Sequence, residues 1–130
     1  MKLAALSLDA VFDQVRSLLS RHAAYFDVRE GLVRNKRDYH LLVRKPPLID
    51  GKPLKEPWFA SVIRQKHNVG FYLTPLARCK DLRAQIPPGL LEHLDGKTCF
   101  HLKYLTPELA ADIDVAISSA RSAYEKRKWI

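Results

Sequence analysis

With 130 residues, 47% hydrophobic and 28% charged, the chain has the size and balance of one globular domain that buries a core without crosslinks or metals. Its 22 Lys and Arg against 14 Asp and Glu give a formal charge of +8, which attracts anions (nucleic acid, nucleotides, acidic proteins, lipid headgroups) without choosing among them. No apolar run approaches the roughly 18 residues that span a bilayer, Leu3 to Leu6 is too short for a secretory leader, and the two cysteines, Cys79 and Cys99, read as reduced thiols of a cytoplasmic protein.

Leu8, Val11, Phe12, Val15, Leu18 and Leu19 recur at helical spacing, with Asp9, Asp13, Arg16, Ser17 and Ser20 on the other side. Ser7 is the expected N-cap, so a first helix should run from about Leu8 to His22. Two runs rich in β-branched and aromatic residues follow, Val28 to Val33 and Tyr39 to Arg44. The polar stretch from Arg34 to Asp38 separates them, so they read as a hairpin. Pro46, Pro47, Pro53 and Pro57 then interrupt the ladder, with Asp50-Gly51 as a turn signal inside that loop. Phe59 to Gln65 and Val69 to Thr74 form a second hairpin across Lys66-His67-Asn68, and Pro75 stops its second strand. From Arg78 to Leu94 the pattern is helical in short pieces broken by Pro87 and Pro88, and Gly96 fits a helix C′ position. Cys99 to Tyr104 is a fifth strand. Thr106 caps a last helix with Pro107 at its first position and an apolar stripe of Leu109, Ile113, Ala116, Ile117, Ala120 and Tyr124. The expected fold is α+β: one domain over residues 1–130, with an antiparallel sheet of about five strands and the N- and C-terminal helices packed on one face.

Strand parity then divides the side chains. Tyr39, Leu41 and Val43, with Val69, Phe71 and Leu73 and with Phe100, Leu102 and Tyr104, should meet the helices. On the strand after Trp58, Val62 and Ile63 compete for the core; an inward Ile63 puts Val62 and Arg64 outside. The outer face then carries His40, Arg44, Arg64, Tyr72, His101 and Lys103, interleaved with Leu42, Val62 and Thr74. These six residues form the candidate binding surface.

Two stretches, Gly70-Phe71-Tyr72-Leu73-Thr74-Pro75-Leu76 and Gly96-Lys97-Thr98-Cys99-Phe100-His101-Leu102-Lys103, with a final helix ending near Trp129, resemble the YdhG-like family of small bacterial proteins. Thr74 stands where that pattern has a methionine, and His101 where it has an asparagine. The resemblance covers about Tyr39 to Trp129. It implies an α-β-α order close to the frataxin-like arrangement, and through some relatives it implies an iron-chaperone role. In this chain the acids for that role are Asp9 and Asp13, at i, i+4 on the first helix, with Asp27 and Glu30 on the next strand. Four carboxylates on a +8 chain make a poor trap for a cation.

No catalytic constellation stands out. Cys79 and Cys99 lie 20 residues apart without a CxxC, and zinc needs about four closely spaced ligands. Cys99 and His101 alternate on one strand face, but i, i+2 Cα atoms about 6–7 Å apart do not bring a thiol onto an imidazole. The five histidines show no ligand spacing and read as surface residues. The five glycines form no phosphate-cradling loop. The expectation is a non-enzymatic binding or interaction module without a cofactor, working through the outer sheet face, as a homodimer interface or toward an anionic ligand or protein partner. The alternatives are iron binding at Asp9 and Asp13, and single-stranded nucleic acid on the basic, tyrosine-bearing face.

Overall fold

The computed structural model describes residues 7–45, 48–49, 51–53 and 57–130. Helix α1 (Leu8–Ser20) leads through a 3-10 turn (Ala23–Tyr25) to strands β1 (Asp27–Glu30) and β2 (Asp38–Leu42). A two-residue ribbon, β3 (Leu48–Ile49) with β4 (Lys52–Pro53), occupies part of the proline-rich loop. Pro46, Pro47 and Asp50, and the leader expectation for the first residues, lie outside the described residues. Strands β5 (Trp58–Arg64) and β6 (Val69–Leu73) follow. Next come the short helix α2 (Pro75–Arg78), a 3-10 segment (Lys80–Gln85), the short helix α3 (Pro88–Leu91), strands β7 (Leu94–Asp95) and β8 (Cys99–Leu102), and helix α4 (Pro107–Lys126). The main sheet is antiparallel and six-stranded, in the order β1-β2-β5-β6-β8-β7. The α+β class holds, and β7 is the strand the sequence did not announce. No helix among the described residues is long and apolar enough to cross a membrane.

Both long helices begin where a side-chain oxygen satisfies a free backbone donor. Ser7 accepts from the Ala10 N–H at 3.1 Å, and Thr106 accepts from the Leu109 N–H at 3.1 Å. Their apolar stripes cover one face of the sheet: Val11, Val15 and Leu19 of α1 and Ile113, Ile117 and Tyr124 of α4 are fully buried. Beneath them lie Tyr39, Leu41 and Val43, then Val69, Phe71 and Leu73, then Phe100 and Leu102, all buried as strand parity requires. A β-bulge between Leu41 and Leu42 slips the pairing with β5, so Phe59 and Ala60 are both buried; Phe59 stacks on Phe26 with ring centroids 4.2 Å apart.

Several expectations change. Tyr104 is half exposed, because β8 ends at Leu102 and Leu105 takes the core position instead. Val62 points inward and Ile63 outward, so Arg64, two residues after Val62, lies on the helix side. Gly96 sits in the β7–β8 turn, not at a helix end, because α3 stops at Leu91. Asp38 belongs to β2, not to the preceding loop. His22 and His40 are buried, contrary to the surface reading of all five histidines.

Candidate functional site

The outer face of the sheet is built from the residues that parity turns away from the helices. Cross-strand pairing places them in two rows: Arg29, His40, Ser61, Tyr72 and Cys99 in one, and Asp38, Ile63, Gly70 and His101 in the next. Side chains directly opposite on one face come within contact distance. This register therefore decides which polar groups meet.

Three of them meet in a line. Asp38 and His40 share a face at i, i+2 on β2, and Ser61 lies opposite His40 on β5. His40 Nε2 lies 2.7 Å from Asp38 Oδ2, and His40 Nδ1 lies 2.7 Å from Ser61 Oγ. An ionised carboxylate only accepts, so Nε2 carries the proton toward Asp38. In the neutral ring Nδ1 is then the acceptor, and the Ser61 hydroxyl donates to it.

Asp38 itself is fixed from the other side. Gly31, with φ of +69°, turns the chain out of β1 in the left-handed region. The Gly31 N–H then donates to Asp38 Oδ1 at 2.8 Å, and those of Leu32 and Val33 donate to Oδ2 at 2.8 and 3.1 Å. Burial by itself would raise the Asp38 carboxyl, but the bonds from His40, Leu32, Val33 and Gly31 outweigh it and hold the group below the usual carboxylate range. One carboxylate thus organises both the loop after β1 and the imidazole.

Above this line lies a groove of about 390 Å³, lined by Leu32, Val33, Trp58 and Ile63 on its apolar walls, with His40, Ser61, Tyr72, Thr74 and Thr98 supplying the polar groups. Leu32 is exposed at its rim. Tyr72 cannot stand up into the groove as a stacking platform. Its ring lies back over Gly70, where a Cβ would come within 2.9 Å of the ring, and its hydroxyl accepts from Gln65 Nε2 at 2.9 Å. Burial raises the Tyr72 phenol, and the neighbouring Cys99 thiol raises it further. Burial likewise raises both the Cys79 and the Cys99 thiols, so neither has the depressed pKa of a nucleophilic cysteine.

The six residues of the candidate surface therefore divide. His40 and Tyr72 line the groove, but His40 is buried at its floor. His101 is on the outer face one row away, where its Nδ1 faces Asp95 at 3.3 Å, not Cys99. Lys103 is exposed beyond the end of β8. Arg64 is on the opposite side of the sheet, 3.2 Å from Asp9 of α1. Arg44 follows the bulge and donates to the Phe26 carbonyl at 3.1 Å, next to Asp27. It lines a second groove of about 390 Å³ with Lys45, Tyr25, Lys128 and Trp129, away from the outer face. A continuous cationic stripe does not form. Asp9 and Asp13 do come together, but around a guanidinium: Arg37 lies 2.6 Å from Asp13 and 3.7 Å from Asp9. Among the described residues no group of three or more His, Cys, Asp and Glu is placed to hold a metal.

Sequence reasoning missed Asp38, Ser61 and Trp58. The signal available was Asp38-x-His40, an acid and an imidazole at strand alternation. Ser61 joins them only through the register of β2 on β5, which pairs His40 with Ser61. The chain matches no family model, no curated protein and no solved structure.

Proposed function

We infer that the chain is a binding domain whose working surface is the groove on the outer sheet face, and that its ligand is a small, mainly apolar molecule with one hydrogen-bonding polar group. The observation that carries this reading is the groove over the Asp38–His40–Ser61 line: about 390 Å³ of space, apolar walls and a few convergent polar groups. That size and make-up suit a small-molecule site. Asp38 holds the wall at Leu32 and Val33 by backbone hydrogen bonds, so part of the site is formed before any ligand arrives. The second groove has the same volume, but its polar lining is Arg44, Lys45 and Lys128 at the surface, without a buried hydrogen-bonded floor.

The two alternatives fit less well. For single-stranded nucleic acid, Tyr72 is laid flat over Gly70, and Arg44 and Arg64 point elsewhere. For iron, the Asp9 and Asp13 carboxylates already face Arg37 and Arg64. Kinship with the YdhG-like proteins is part of this proposal and rests on the two motifs around Gly70 and Gly96.

Titration with N-methylbenzamide, followed by amide chemical shifts, tests the reading. Shifts should cluster at Leu32, Val33, Trp58, Ser61, Ile63 and Thr98 and vanish in Ile63→Glu. Shifts clustered at Tyr25, Lys45 and Trp129, or none at millimolar ligand, would overturn it. Shifts spread over the whole outer face and growing with protein concentration would point instead to a second copy on that face.

A further inference from the structure

We propose that Ser61 is a nucleophile toward carboxylic esters, with His40 as its base and Asp38 as the residue that positions His40; this rests on the groove being the ligand site. The parts of an activated serine are a hydroxyl, a base in hydrogen-bond reach and a third group that orients the base. Here both links are 2.7 Å, and the carboxylate at the far end is locked by three backbone N–H donors. The tautomer is the productive one, because the Asp38 acceptor keeps the ring proton on Nε2 and leaves the Nδ1 lone pair toward Ser61. Ser61 is only 7% exposed but belongs to the groove lining, so it borders the space where a ligand sits. A purely structural cluster would not need to border that space.

The reaction closes without any further co-reactant than water. The Ser61 oxygen attacks the ester carbonyl as its proton moves to His40 Nδ1. The carbon–alkoxy bond breaks, and the leaving alcohol takes that proton, which leaves an acyl group on Ser61. Water then attacks the acyl carbonyl and gives its proton to Nδ1. The Ser61–acyl bond breaks, the carboxylic acid departs, and the proton returns to Ser61. The groove sets the substrate class: an ester of a short apolar or aryl acid, held against Val33, Trp58 and Ile63.

One departure from efficient serine hydrolases shapes the expectation. Ser61 lies in mid-strand, paired with His40 on one side and Tyr72 on the other, so its amide sits within the sheet ladder. Charge on the carbonyl oxygen must be met by side chains, and the hydroxyls of Thr74 and Thr98 line the same groove. A missing backbone donor typically slows such reactions about 10²–10³-fold. Both acylation and deacylation should therefore be slow, and with an activated aryl ester, whose leaving group departs without a proton, acylation is the faster step and the acyl-enzyme accumulates.

The test is p-nitrophenyl butyrate on the full chain, read by p-nitrophenolate release, intact mass and peptide mapping. The expected result is a burst of about one equivalent and one butyryl group on the peptide carrying Ser61. Ser61→Ala should abolish both, Ser61→Cys should retain acylation, and His40→Gln should slow it at least about 100-fold. Asp38→Asn, assayed below its unfolding temperature, should slow acylation by a larger factor than it weakens N-methylbenzamide binding, a difference that a merely structural Asp38 would not produce. Butyryl groups confined to lysines, or a burst unchanged in Ser61→Ala, would overturn the proposal. If N-methylbenzamide still shifts the groove residues while Ser61 stays unmodified, the nucleophile fails and the binding site stands. If neither occurs, both fail.

Discussion

Replacing Asp38 with Asn exchanges one carboxylate oxygen for an N–H₂ group and removes one negative charge, and the contacts of the two oxygens define what is lost. Oδ1 accepts from Gly31, and Oδ2 accepts from Leu32, Val33 and His40. The side chain is fully buried, so water does not share the load. An asparagine keeps one acceptor oxygen. Its best rotamer turns that oxygen to Leu32, Val33 and His40 and sets an N–H₂ donor against the Gly31 donor. A hydrogen bond to a charged group contributes about 1.5–3 kcal/mol, and an orphaned buried donor costs about 1–3 kcal/mol. One bond lost and three weakened amount to about 3 kcal/mol. An unfolding entropy of about 2.1 cal/mol/K per residue gives about 0.27 kcal/mol/K for 130 residues, so the midpoint should fall by about 11 °C. Thermal and urea unfolding at pH 7, followed by circular dichroism, measures both. The gap should also narrow in acid. The folded carboxyl lies below its ordinary value of 3.8, so its stabilisation is fully present above that pH and is lost as pH drops through the folded value. A loss under about 1 kcal/mol with an unchanged m value, or a gap that widens on acidification, would refute the account of Asp38 as the anchor of the loop.

Tyr124 should behave in the opposite way. Its hydroxyl is buried without a hydrogen-bond partner among the described residues, and burial pushes the phenol up to about 12, so Tyr124→Phe should stabilise the chain by about 1 kcal/mol in urea unfolding. Thr106→Ala removes the cap of α4 and should cost about 1 kcal/mol in the same assay, with no change in N-methylbenzamide shifts at the groove. His22 is lowered by burial and then by the Arg121 charge, against the pull of Asp114. Its neutral form is therefore the native one, and the stability it contributes is present above 6.5 and lost as pH falls through the folded value. Thermal midpoints measured from pH 7.5 to 5 should decline, and His22→Gln should flatten that slope.

The sequence carried the helices and the inward residues because their signals are local. Ser7 and Thr106 are recognisable caps, and the alternation through Tyr39, Leu41, Val69, Phe71, Phe100 and Leu102 needs no partner to be read. The outer face was only half legible, since its chemistry depends on what stands opposite what. Arg64 was misplaced because Val62 and Ile63 are nearly equal in hydrophobicity, and only packing under α1 chooses between them. Arg44 was misplaced because parity was carried past the end of the strand: β2 stops at Leu42, and Arg44 is held by the Phe26 carbonyl and Asp27. Tyr104 failed in the same way, since β8 is two residues shorter than its apolar run. Asp38 read as a turn residue, which is the usual meaning of an Asp between two strands. Its place as the common acceptor of the loop and the imidazole requires the left-handed turn at Gly31 and the pairing of β2 with β5 together.

The two outermost strands bear on how this molecule could meet another copy of itself. One margin of the sheet is the four-residue β1, which carries Asp27, Arg29 and Glu30, and the other is the two-residue β7, which ends in Asp95. Short, charged margins are poor templates for adding a strand. The backbone thus offers neighbouring molecules little to zip onto. Self-association would have to proceed over the broad surface around Trp58 and Ile63, so that crowding and small-molecule occupancy would compete for the same ground.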